Sequence, residues 1–225
     1  MKPDTTQNSL ETLVEIRSIM ERSTRFLSLS GWSGVWAGVT ALAGAGVALR
    51  LLPPEMLRYS HYGNLHARDS AGYFCFCGAD FYKPIALALV VFLIALAGGV
   101  YFTWKKSRHR GASLWNKSSR AMVGAMVLPL VAGAVFTLSF MHYGHAMYIA
   151  PACLIFYGLA LINGSKYTVT DIKYLGILEV ILGSLSLFFP GYGLAAWALG
   201  FGILHIVYGI VMWNKYDKNG TRTEA

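Results

Sequence analysis

The sequence predicts an all-α integral membrane protein: six transmembrane helices forming three tandem helical hairpins, with both termini cytoplasmic. Three observations carry this. First, 55% of the 225 residues are hydrophobic and only 13% are charged, with a mean hydropathy of +0.48. A soluble domain carries about 25% charged residues, so this chain has too little polar surface to cover a globule in water. Second, six apolar stretches approach the roughly 20 residues that a helix needs to cross a bilayer. Helices are expected because an open sheet leaves backbone groups unpaired in lipid. Third, the lysines and arginines are segregated. Fifteen fall on one side of the predicted topology, and four, Arg50, Arg58, Arg68 and Lys83, on the other. The positive-inside rule then places both ends in the cytoplasm of a bacterial inner membrane. The net charge of +8 is thereby read as an orientation signal. No basic module interleaved with aromatics speaks for nucleic acid.

Residues 1–25 form a cytoplasmic leader. Asn8 followed by Glu11 resembles a capping box, and Leu10, Leu13, Val14 and Met20 recur at helical spacing. An interfacial helix on the inner leaflet is expected, with docking of a cytoplasmic protein partner through residues 8–25 as the alternative. The first segment, 26–52, begins too late and runs too long for a signal peptide. Ser30, Gly34 and Gly38 recur in it every four residues, a spacing that lets a neighbouring helix approach closely. Packing inside the bundle is expected there rather than dimerisation.

An outer loop, 53–83, leads to segment two, 84–104. Segments three to six cover 121–141, 146–163, 174–190 and 194–213, and a tail covers 215–225. A repeat is visible in this half. "YGLALIN" at 157–163 is echoed by "YGIVMWN" at 208–214, and "HYGHAM" at 142–147 by "GYGLAA" at 191–196. Offsets near 50 residues suggest tandem hairpins. Such repeats point the same way across the membrane, unlike the inverted repeats of many transporters.

Glu179 stands in the apolar run "GILEVILGSLSLFFPG" of segment five, and His205 stands in segment six. The turn between them is centred at 191.5. Glu179 lies 12.5 positions before that centre and His205 lies 13.5 after it. At 1.5 Å per residue both sit about 20 Å below the outer turn, and about 10 Å from the cytoplasmic edge of the core. Each lies on a stripe of small residues: Gly176, Gly183 and Ser186 beside Glu179, and Ala198, Gly202 and Gly209 beside His205. An interior Glu179–His205 contact, direct or through one water, is therefore expected. It has two readings: a hydrogen-bonded clasp for the hairpin, or a proton sensor or relay. Thr137, Ser139 and Tyr157 are polar groups within segments three and four. No second intramembrane carboxylate exists, which speaks against a proton-coupled transporter.

The outer side carries His61, His66, Cys75 and Cys77 in the loop, with His142 and His145 after segment three. Imidazole and thiolate are zinc or copper ligands, so zinc or copper binding stands beside the simpler reading of an ordinary loop. The C-x-C spacing is unusual for structural zinc. Cys153, inside segment four, reads as packing. No phosphate-cradling glycine loop, G-x-S-x-G or H-E-x-x-H is present. No cofactor is predicted, and neither oligomeric state nor ligand is written in the sequence.

The last hairpin, "GILEVILGSLSLFFPGYGLAAWALGFGILHIVYGI", resembles the repeated hairpin of HdeD-like acid-resistance membrane proteins. The matches are Gly176-Ile177-Leu178, Leu182-Gly183, Leu187-Phe188, Pro190-Gly191 and Ile206 to Gly209. Separately, "IMERSTRFLSLSGWSGVWAG" is similar to uncharacterised bacterial six-helix membrane proteins. Neither resemblance supplies a catalytic residue; the first implies an inner-membrane role in acid stress. The expectation is a non-enzymatic membrane protein with a stress-related or regulatory role. A proton-linked transporter or sensor using Glu179 and His205 is the alternative, and an outer-face metal protein or enzyme the third.

Overall fold

The structure, a computed structural model, describes residues 30–51, 82–109, 113, 115–143, 145–189 and 191–218. Among these it is all-helical, with no strand. The helices are α1 (Gly31–Leu51), α2 (Tyr82–His109), α3 (Lys117–His142), α4 (Ile149–Tyr167, with a closing 3₁₀ turn from Ser165), α5 (Asp171–Ser186) and α6 (Gly193–Asp217). Five of the six, all but α5, are long and apolar enough to cross a membrane. At 16 residues α5 is about 24 Å long, short of a ~30 Å hydrocarbon core. The leader at 8–25 and the loop residues His61, His66, Cys75 and Cys77 lie outside the described residues.

Several helix ends differ from the sequence expectation. α2 runs five residues past the predicted end at 104. Its last turns are basic, which suits a helix C-terminus, and they are tied inward. Thr103 and Ser107 are buried, and the Lys106 ammonium forms an ion pair with Asp217 at the end of α6. α3 starts four residues before 121. Asn116 caps it by accepting from the Ser119 amide (2.8 Å), while the Ser119 hydroxyl accepts from the Asn116 amide (3.0 Å). α5 ends at 186 rather than 190, and the chain turns through Gly191, whose φ of 100° favours glycine.

Contacts between helices fix their directions. Gly34 packs on Gly209, and Gly38 on Gly202, so α1 and α6 are antiparallel. The Trp36 indole donates to the Ile94 carbonyl (3.0 Å) while Gly44 meets Val91, so α1 and α2 are antiparallel too. Asn163 donates to the Ala125 carbonyl (2.6 Å) and Gly133 meets Phe156, which opposes α3 to α4. Gly158 faces Gly176, and Gly183 faces Ile155, which opposes α4 to α5. The six helices thus alternate in direction. One end of the bundle gathers Gly31, His109, Lys117, Gly164, Asp171 and Asp217.

Lateral order differs from chain order. The order across the bundle is α2, α1, α6, α4, α3, with α5 packed chiefly on α4. Although α5 and α6 are joined by a short turn, α6 spends most of its surface on α1. Ser30, Gly31, Gly38 and the alanines at 41, 45 and 48 are buried. Small residues in α1 therefore serve packing inside the bundle, where backbones approach closely enough for dispersion to hold helices together in lipid. α2 and α3 flank the arrangement and expose long apolar faces, among them Leu89, Phe92 and Leu93 of α2 and Leu128, Val131 and Val135 of α3.

Candidate functional site

The site is a side-chain chain across three helices: Tyr157 of α4, His205 of α6 and Glu179 of α5. Tyr157 lies seven residues before Gly164, about 10 Å from the basic end of the bundle. The Tyr157 hydroxyl is 2.9 Å from His205 Nε2. His205 Nδ1 is 3.0 Å from the Gly200 carbonyl and 3.4 Å from Glu179 Oε1. Glu179 is 0% exposed and His205 6%. The structure therefore brings the two sequence-predicted residues together and adds Tyr157 as a third member.

Local backbone explains the placement. α6 is not a uniform α-helix: residues Ala198–Leu204 form π-helical turns, as do Trp213–Asp217. Such widened turns recur at functional sites. This one carries Gly200, whose carbonyl takes the His205 ring N–H. A Cβ at Gly200 would stand 2.4 Å from Leu154 and 2.5 Å from Glu179 Oε2. Glycine there leaves room for the Leu154 and Glu179 side chains, which a Cβ would displace. Gly202, on the other side of α6, admits Leu42 of α1. Phe201 packs against the site from within α6. Its ring lies 5.9 Å from the His205 ring and 5.1 Å from the Tyr157 ring.

Proton positions follow from these partners. A carbonyl only accepts, so Nδ1 carries a hydrogen towards Gly200. In a neutral imidazole Nε2 then accepts from the Tyr157 hydroxyl; in an imidazolium Nε2 donates to it. Glu179 is different. Both its oxygens are buried and neither has a hydrogen-bond partner. A buried polar group without a partner costs on the order of 1–3 kcal/mol, and more when it is charged. The site is electrically neutral in two arrangements: carboxyl with imidazole, or carboxylate with imidazolium. Both hold the same number of protons. One proton more, or one fewer, leaves a net charge on a buried site.

The remaining candidates are dispersed. His142, the last residue of α3, and His145 beyond it are exposed, each beside a tyrosine ring, Tyr143 at 5.0 Å and Tyr148 at 6.2 Å. Among the described residues no three of His, Cys, Asp and Glu gather as a metal site. Thr137 meets Cys153 at 3.9 Å, away from the triad. Comparison of the chain with protein-family models, curated proteins and solved structures finds no match.

Proposed function

We propose that this chain is a non-enzymatic, six-span protein of a bacterial inner membrane, with both ends cytoplasmic, and that its buried triad makes it responsive to protons. Its role on this reading is regulatory or stress-related. The observation that carries it is the Glu179 carboxyl: fully buried, without a hydrogen-bond partner, and 3.4 Å from a histidine. A pair that served only to fasten helices would place its hydrogen bonds on both members. Here those bonds join His205 to Tyr157 and Gly200, and the carboxyl stands beside them at ion-pair distance, without a hydrogen bond from either protein group. A change in proton count charges this interior, and water entry or separation of α5 from α6 relieves the charge. The groups facing Glu179 are His205 from α6 and Tyr157 beyond it on α4. Between its ends α1, the other main neighbour of α6, contributes no ionisable side chain. The resemblance of 176–209 to acid-resistance membrane proteins points the same way.

The test is thermal unfolding of the purified full chain in lipid nanodiscs across the acid-to-neutral range. The wild-type midpoint is expected to vary with pH, and Glu179→Gln to flatten that dependence while remaining folded. Superimposable profiles for the two proteins would remove the proton-responsive role. The Tyr157–His205–Gly200 bonds favour a second reading, a purely structural clasp. On that reading Glu179→Gln and His205→Gln lower stability by the same amount at every pH and couple in a double-mutant cycle.

A further inference from the structure

The outward face of α2 near the basic end holds a second feature, independent of the triad. A half-open surface groove is lined by Tyr101, Trp104, Lys105, Arg108 and His109. These residues follow one another at helical spacing and form a single stripe. Lys106, between them in sequence, points the other way and pairs with Asp217. Lys105 and Arg108 are exposed, and the Arg108 guanidinium lies over the Trp104 ring at 5.6 Å. Stacking on an aromatic face holds the guanidinium fork in place. The sequence has no Asp or Glu from 81 to 170. The stripe therefore meets no acid from α2, α3 or α4 to neutralise it.

We infer that this stripe is a binding site for the phosphate headgroup of an anionic phospholipid. The charge is complementary: an arginine fork and a lysine point charge within one turn suit a phosphate diester. The depth is right, since Trp and Tyr sit at the headgroup level of a bilayer. The feature favouring a lipid over a free anion lies further along the helix. The stripe continues away from the basic end through Ile94 and Val90, both exposed apolar residues, one and two helical turns beyond Ala97. An acyl chain attached to the bound phosphate would lie along them.

Native mass spectrometry of the full chain, equilibrated with phosphatidylglycerol and phosphatidylcholine, tests the site. The wild type is expected to retain phosphatidylglycerol preferentially. The double variant Lys105→Gln/Arg108→Gln removes both charges while leaving polar side chains, and is expected to lose about tenfold in retention. Arg120→Gln removes a charge from the same end of the bundle, outside the groove, and is expected to leave retention unchanged. Unaltered retention in the double variant overturns the site. Equal loss in Arg120→Gln overturns it in favour of diffuse surface charge. Displacement of the lipid by inorganic phosphate overturns the lipid as the ligand. Unfolding midpoints of all three proteins accompany the measurement. If the double variant melts early, Arg108→Lys alone supplies the comparison, since it keeps the charge and removes the fork.

Discussion

Glu179 and Tyr157 flank His205 in opposite conditions: the tyrosine is hydrogen-bonded to the ring and the carboxyl meets it only at ion-pair distance. This asymmetry makes their substitutions distinguishable. Tyr157→Phe keeps the ring and its packing on Phe201, but leaves the buried His205 Nε2 without its partner. It is expected to destabilise the protein by about 1–3 kcal/mol, read by chemical unfolding in mixed micelles. A loss well below that range would mean that water reaches Nε2. Glu179→Gln removes no hydrogen bond and is expected to cost less. The sequence exposed two of the three residues. Glu179 and His205 are legible because counting from one turn gives their common depth. Tyr157 belongs to another helix, and contacts between hairpins leave no trace in local spacing. Its signal was only that of a polar ring in an apolar run. The Gly200 carbonyl was hidden because a π-helical turn has the same apolar composition as an α-helical one.

Helix elements here are joined by backbone proximity, which glycine makes available and any Cβ removes. At Gly176 a Cβ would stand 2.7 Å from the Gly158 carbonyl, and at Gly38 it would stand 2.5 Å from the Gly202 carbonyl. Backbone cannot turn aside as a side chain can. Gly176→Ala and Gly38→Ala are therefore expected to push α5 from α4 and α1 from α6, at about 1–3 kcal/mol each. Gly46 and Gly124 have nothing within 4 Å of the added atom. There alanine favours the helix, by up to about 1 kcal/mol. Unfolding midpoints of the four variants check this; a drop at Gly46 or Gly124 equal to that at Gly176 would refute the packing assignment. Helix ends were the less readable part. The apolar run of α2 ends at 104, but the helix continues to His109 because its inward face meets Asp217 through Lys106. The start of α3 depended on the Asn116 cap, which periodicity does not report.

At the scale of the whole molecule, parity is the question, and α5 decides it. The helices alternate in direction, and the ends near residues 30 and 218 meet: the Gly31 amide donates to Asp217 Oδ2 at 3.1 Å. Asp171, at the start of α5, receives Lys215 (2.8 Å) and Tyr216 (3.0 Å) at the same end of the bundle. An α5 of 16 residues is too short alone for a ~30 Å core. Beyond Ser186, however, the chain continues through exposed Leu187, Phe188 and Phe189, with Tyr192 after the turn. Aromatic side chains there suit the headgroup boundary, and on the proposed six-span reading modest local thinning would accommodate the remaining mismatch. Six crossings then leave residues 30 and 218 on one side, whereas five would leave them on opposite sides. Reporter fusions before residue 30 and after residue 218 are expected to give the same cytoplasmic readout, with fluorescence from both and no alkaline phosphatase activity from either. Opposite readouts would mean that α5 does not cross, and Glu179 would then lie near one membrane surface. Water would reach its oxygens there, and the lack of a protein partner would cease to be a cost. The topology measurement therefore also decides whether Glu179 sits in a dry interior, the premise on which the proton-responsive reading stands.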